Sequence, residues 1–196
     1  MLVRELDPSR DRQALTELVI TLQNHERRFD PRMPKGPVMV RRYIDVLRSR
    51  CRKWDGKMFV AEEAAGVVGF VCVWARVPSE EPDHDPSDYA FVSDLVVNPR
   101  YRRRGIGREL MSAAEHYARA RGARCIRLAV LARNAAGRRF YQRMNFREKE
   151  LELEKILRPT PIPRGRVSNP SPLSSPLRRS HNARDDLDVD ECHANA

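Results

Sequence analysis

Apolar and charged residues alternate over positions 2–6, which predicts a first strand, and the Asp7-Pro8-Ser9 turn that follows carries helix-cap chemistry. Leu15, Leu18, Val19, Leu22 and Phe29 then recur at helical spacing. Pro31, Pro34, Gly36 and Pro37 mark a loop, after which Val40, Tyr43, Ile44 and Leu47 form the inward face of a second helix over 38–50. Residues 58–62 and 67–76 read as a hairpin around Ala64-Ala65-Gly66, and its nearly unbroken apolar second arm predicts a central strand. A further apolar strand over 91–97 is stopped by Pro99, which has no N–H to give a ladder. Ile106, Leu110, Met111, Ala114 and Tyr117 predict a helix to Arg121, with Gly122 as its C-cap. Ile126, Leu128 and Val130 alternate along a fifth strand, a fourth helix covers about 134–144, and residues 146–156 predict a last strand.

Composition changes at Arg158. The 39 residues from there hold six of the 14 prolines, many serines and no aromatic residue, so they cannot bury a core. The expected organisation is one α/β domain over 1–157 and a Pro/Ser/Arg-rich disordered tail over 158–196. No apolar run reaches the roughly 18 residues needed to span a bilayer, and the N-terminus is too charged for a signal peptide. A cytoplasmic protein without a membrane partner is therefore expected. Cys51, Cys72, Cys125 and Cys192 show no metal-ligand spacing, so no metal is expected. Cys72 and Cys125 fall in apolar strands, where cysteine behaves as a small hydrophobe. The net charge is +10, and only +1 of it belongs to the tail. That balance points to an anionic partner, either nucleic acid or a phosphate-bearing cofactor.

The charge is clustered. Behind the strand over 91–97 come Arg102, Arg103, Arg104, Gly105, Ile106, Gly107 and Arg108, and a helix begins among them. Strand, basic glycine turn and helix together aim unpaired N–H groups and the positive end of a helix dipole at one place, which suits phosphate. The turn lacks the third glycine of a dinucleotide fingerprint and the Gly-Lys-Ser/Thr of a P-loop. What remains is Arg102-x-x-Gly105-x-Gly107 behind an apolar strand. A second block, Asn134-Ala135-Ala136-Gly137-Arg138-Arg139-Phe140-Tyr141, closes on Asn145-Phe146.

Together these blocks closely resemble the acetyl-CoA signature and the late Asn…Phe-Tyr segment of the GCN5-related N-acetyltransferases, the GNAT superfamily, over roughly residues 2–157. The resemblance implies a single domain with a mixed, mostly antiparallel splayed sheet flanked by helices. It implies transfer of acetyl from acetyl-CoA, as acyl donor, to a primary amine by direct attack in a ternary complex. It also implies that the backbone of Leu95, Val96 and Val97 meets the pantetheine amides, that the turn over 102–108 holds the pyrophosphate, and that Asn134 contacts the cofactor. Tyr141 then stands where many relatives place a tyrosine near the leaving sulfur.

The base stays open. Relatives carry a glutamate on the signature strand just before an aspartate. Here Ser93 stands there, followed by Asp94, and Glu26 and His25 at the end of the first helix are further candidates. The acceptor is a small-molecule or peptide amine. The acidic loop with Glu80, Glu81, Asp83, Asp85 and Asp88 would favour a cationic one. A homodimer rests on family analogy alone. The alternative is a non-catalytic acyl-CoA-binding or nucleic-acid-binding module. Nucleic acid is disfavoured, because the arginines are not interleaved with aromatics and no reader motif is present.

Overall fold

The computed structural model describes residues 1–79 and 85–157. Two units separate at Phe146: Met1–Phe146 and Arg147–Ala196. The first holds the elements β1 (Leu2–Glu5), α1 (Arg12–Glu26), α2 (Gly36–Lys53), β2 (Gly56–Glu63), β3 (Gly66–Val77), β4 (Tyr89–Val97), a short 3-10 turn (Pro99–Tyr101), α3 (Ile106–Ala120), β5 (Ile126–Leu128) and α4 (Ala135–Arg143). The five strands form one sheet in sequence order. β1 to β4 are antiparallel neighbours, and β5 runs parallel to β4. This is the mixed, mostly antiparallel α/β architecture that the family resemblance implies. Among the described residues no helix is long and apolar enough to cross a membrane.

β3 is the middle of the sheet, and its interior positions from Val68 to Ala75 are buried without a break, as a strand covered on both faces requires. On one face Val71, Val73, Ala90 and Val92 pack against Ile106, Leu110, Met111 and Ala114 of α3. Those α3 residues are the stripe read from spacing. Tyr117 lies at its edge, half-buried, and its hydroxyl donates to Asp55 Oδ1 at 3.1 Å. Leu15, Leu18 and Val19 of α1 and Val40, Ile44 and Leu47 of α2 are buried as the helices' core-facing positions. The crossing of α1 and α2 is tight. A Cβ on Gly36 would meet the Ile20 backbone at 2.9 Å.

The helix starts differ from expectation. Asp7 does not cap α1; its Oδ1 accepts from the Ser9 N–H at 2.9 Å in a local turn. The helix begins after Asp11, and that carboxylate is taken up by Arg4 at 2.6 and 2.9 Å. α2 starts at Gly36 rather than 38, because Pro37 is tolerated in a first turn. Phe29 lies beyond the end of α1. Cys125 is exposed just before β5, so of the two cysteines expected in strands Cys72 alone is buried in one.

The strand expected over 146–156 is absent. Residues 147–157 carry no regular secondary structure, and no ladder includes them. Leu151, Leu153, Ile156 and Leu157 supply the alternation, yet they stay exposed, Leu153 to 84%. Alternation qualifies a segment for a sheet; a partner edge makes it a strand. The tail over 158–196, and Glu80, Glu81 and Asp83 of the acidic loop, lie outside the described residues.

Candidate active site

The sheet opens beside β4. Its ladder with β5 covers only Ala90, Phe91 and Val92, opposite Ile126, Arg127 and Leu128. β4 continues to Val97 on its other side, paired with β3. Between Cys72 and Val73 the β3 register slips, so Ser93 is an extra residue bulged out of β4 at the point where β5 leaves. Beyond the bulge, the Asn98 N–H donates to Val68 O at 2.8 Å. Antiparallel alternation then turns the main chain of Val96 into the β3 ladder and leaves that of Leu95 and Val97 facing the opening. Arg102 Nε donates to the Val97 carbonyl at 3.0 Å, tying the basic turn to the end of the strand.

The turn leads directly into α3. Arg103 and Gly105 adopt positive φ, +65° and +83°, which bends the chain back onto the helix axis. Gly105 O accepts from the N–H groups of Arg108 and Glu109 at 2.8 and 3.2 Å. Among the described residues, no backbone carbonyl accepts from the N–H groups of Arg103, Arg104, Gly105, Ile106 or Gly107. Five consecutive donors at a helix N-terminus, with Arg102, Arg103, Arg104 and Arg108 exposed around them, fit a pyrophosphate. The two glycines serve different ends. Gly105 supplies the left-handed φ, and a Cβ there would meet nothing within 4 Å. Gly107 lies 3.4 Å, measured from an ideal Cβ, from the Phe140 ring, so it lets α4 approach α3.

α4 presents Tyr141. Asn134 caps the helix, accepting from the Gly137 N–H at 2.9 Å, and a Cβ on Gly137 would sit 2.7 Å from its amide. This gives Asn134 a structural role beside the cofactor contact implied by resemblance. At the other end Asn145 takes φ +63°, the Phe146 N–H bonds Tyr141 O at 3.0 Å, and the Asn145 N–H bonds Gln142 O at 3.1 Å. That is a Schellman stop, with asparagine in the left-handed position. It folds Phe146 back against the Tyr141 ring, 5.8 Å between centroids.

Burial, then the negative charges of Glu26 and Asp94, push the Tyr141 phenol up to about 12. Three of the expected catalytic groups, from α4, α1 and β4, therefore share one electrostatic neighbourhood. Asp94 is only 4% exposed and its Oδ1 accepts from the Tyr43 hydroxyl at 2.8 Å. The Ser93 hydroxyl is buried without a hydrogen-bond partner among the described residues. His25, edge-on to Phe29 at 5.3 Å, is held below its ordinary pKa by burial and then by the cations Arg102 and Arg28. It is therefore neutral at physiological pH. The α1–α2 loop bordering this region is pinned: Gln23 Nε2 donates to Pro34 O at 2.8 Å, and the Gly36 N–H donates to Asn24 Oδ1 at 3.1 Å.

Two participants were not singled out as functional in the sequence. Tyr43 reads there as one more inward residue of α2, since helical spacing cannot tell a packed ring from one whose hydroxyl meets a carboxylate. The bulge at Ser93 leaves no mark, because polar residues sit on strands for many reasons.

Strand opening, donor-rich helix start and tyrosine-bearing helix are the features of this α/β fold that the known relatives can be compared with. The acetyltransferase (GNAT) family matches residues 20–146, and the chain belongs to it. An uncharacterized N-acetyltransferase of Methanocaldococcus jannaschii is 34% identical over 128 residues, covering 64% of this chain and 53% of its own. The chain spans about half the length of that curated relative. Among solved structures, a tetramutant of a Bacillus halodurans protein is similar with a TM-score of 0.67 at 21% identity, covering 80% of this chain and all of its own. An aminoglycoside N-acetyltransferase in complex with CoA is similar with a TM-score of 0.55 at 16% identity, covering 80% of this chain and 99% of its own. Those two likenesses concern the fold.

Proposed function

We propose that the chain is an acetyl-CoA-dependent N-acetyltransferase that acetylates a primary amine by direct attack within a ternary complex. The observation that carries this reading is the row of five unused N–H groups from Arg103 to Gly107, set at the end of a strand whose outer edge is open. The N–H groups and arginines would receive the pyrophosphate. The outward-facing main chain of Leu95 and Val97, apart from the Val97 carbonyl that Arg102 already occupies, would pair with the pantetheine amides as an added half-strand. The domain proper is taken as 1–157 and the rest as its tail, and a cytoplasmic location fits the absence of any spanning run in the sequence.

The chemistry needs a proton removed from the attacking ammonium and a donor for the departing thiolate. Asp94 is the strongest base candidate. It is a buried carboxylate beside the bulge, held by Tyr43, and it influences Tyr141. The Ser93 hydroxyl, at the bulge beside Asp94, would relay the proton through a water. Neutral His25 and Glu26 flank the acceptor side at the end of α1. Tyr141 stays protonated at physiological pH, which is what a donor to sulfur requires. With its phenol near 12 and an ordinary thiol near 8.5, full proton transfer runs uphill, so Tyr141 stabilises the thiolate by hydrogen bonding.

The test is thermal shift and calorimetry with acetyl-CoA, CoA, NAD and ATP, followed by thiol release with a panel of cationic amines. A ligand at 100 times its Kd stabilises by about 2.7 kcal/mol, so binding is visible. Stabilisation by both CoA forms alone, and turnover with an amine, is expected. Absence of any CoA effect would sink the reading.

A further inference from the structure

Two cysteines meet outside the acyl-transfer machinery. Cys51, in the last turns of α2, and Cys72, in the middle of β3, place their sulfurs 3.6 Å apart. Cys72 is completely buried, whereas Cys51 is half-buried. Cys51 also lines an open cleft of about 440 Å³ on the protein surface. Arg48, Arg52, Lys57 and Glu5 stand around that cleft. Lys57 is paired with Glu5, so the two arginines leave it net positive. A reactive-and-resolving pair has this form: one sulfur reachable from solvent in a cationic cleft, the other buried in contact behind it.

We propose that Cys51 and Cys72 are a thiol modification site, in which Cys51 reacts with an anionic low-molecular-weight disulfide and Cys72 resolves the product into a Cys51–Cys72 disulfide. The Cys51 thiolate attacks one sulfur of the small disulfide, and the other half leaves as a thiolate. Cys72 then attacks Cys51 Sγ and expels the second half, its own proton leaving with the small thiols. Two protein thiols are oxidised, and one small disulfide is reduced to two thiols. The hydrogen bond with Cys72 lowers the Cys51 pKa and so favours the first attacking thiolate, while burial raises that of Cys72 and keeps it protonated until the second step, where its contact with Cys51 at 3.6 Å is what favours attack.

The bond would reach the site described above. Cys72 is the β3 partner of Asp94, next to the bulge. Cys51 lies eight residues, about 12 Å, along α2 from Tyr43, whose hydroxyl holds Asp94. The two sulfurs must close by about 1.5 Å to reach disulfide length. A shift of about 1 Å in a catalytic constellation can cost about 10²-fold in rate. Oxidation is therefore expected to lower turnover by up to that factor and leave acetyl-CoA affinity unchanged.

The bond stands independently of the acetyl-transfer reading; only its effect on turnover rests on it. The full chain is incubated with glutathione disulfide, alkylated and mapped by mass spectrometry. A Cys51–Cys72 cross-link as the main product is expected. Cys51→Ser should give none, and Cys72→Ser should trap glutathione on Cys51. Glutathione on Cys125 or Cys192, with Cys51 and Cys72 still alkylatable, would overturn the proposal. Mapping of the unmutated chain decides this even if the buried Cys72 variant does not fold. Amine acetylation is then measured before and after dithiothreitol. Recovery on reduction supports the coupling, and equal turnover of linked and reduced forms removes it while the bond stands.

Discussion

Tyr141 shows how much one side chain depends on chain well away from it. Its ring is held by Phe140 at 5.2 Å and Phe146 at 5.8 Å, and its phenol is kept protonated by burial and two carboxylates. If that phenol steadies the departing thiolate, Tyr141→Phe lowers kcat about 10²-fold and leaves the acetyl-CoA Kd within twofold. Steady-state kinetics with calorimetry checks this, and unchanged kcat would remove the tyrosine from the reaction. A second residue-scale prediction concerns Tyr43. Its removal to Phe takes away the 2.8 Å donor to a buried carboxylate. It should cost about 1–3 kcal/mol in stability, read by denaturant titration, and lower kcat more than it changes KM. At this scale the sequence is informative where a residue type sits in a rare block. Tyr141 follows Phe140 on a short helix that opens with Asn134. The sequence is uninformative where the same residue serves packing and polarity together, as Tyr43 does.

At the scale of elements, the site is a junction between a strand that loses its neighbour and a helix that has not yet begun its own hydrogen bonds. β5 is three residues long, and its shortness creates the opening. Arg102 then fastens the turn to β4, so the free N–H groups of α3 lie close to the open edge. Gly105→Glu adds a carboxylate among these donors and forces a side chain onto φ +83°. Calorimetry should show acetyl-CoA binding lost, at least about tenfold in Kd, by like-charge repulsion alone. Retained affinity would take the turn out of the site. Element type was legible here because strand and helix periods are distinct, and the Gly-rich turn between them has few uses. Element pairing was less so. Residues 146–156 alternate as well as β5 does, yet only β5 finds an edge. The register slip that bulges Ser93 depends on two strands fitting each other, which neither strand's own pattern records.

Across the whole first unit, the sheet edge far from the site is braced by charge. Arg4 of β1 bridges Asp11 at 2.6 Å and Glu62 of β2 at 2.7 Å, and Arg10 joins Glu62 from outside. Asp11 is 3% exposed and accepts the Asp7 N–H as well, so it anchors the start of α1, the helix that carries His25 and Glu26 at its far end. Arg4 holds the Asp11 carboxyl below its ordinary pKa, and Glu62 is lowered for the same reason. A carboxyl whose pKa is depressed by folding contributes stability above its unfolded pKa, near 3.9, and loses it as pH falls through the folded value. Asp11→Asn keeps the shape but discards the charge. At pH 7 it should lower the melting temperature by roughly 5 °C, the equivalent of about 2 kcal/mol in a unit of this size. The gap between variant and parent should then narrow steadily below about pH 4, as protonation of Asp11 makes the two chains alike. Calorimetric melts from pH 7 to pH 3 measure this. A gap that stays constant with pH would mean that packing at position 11, and not the ion pair with Arg4, holds α1 to the sheet.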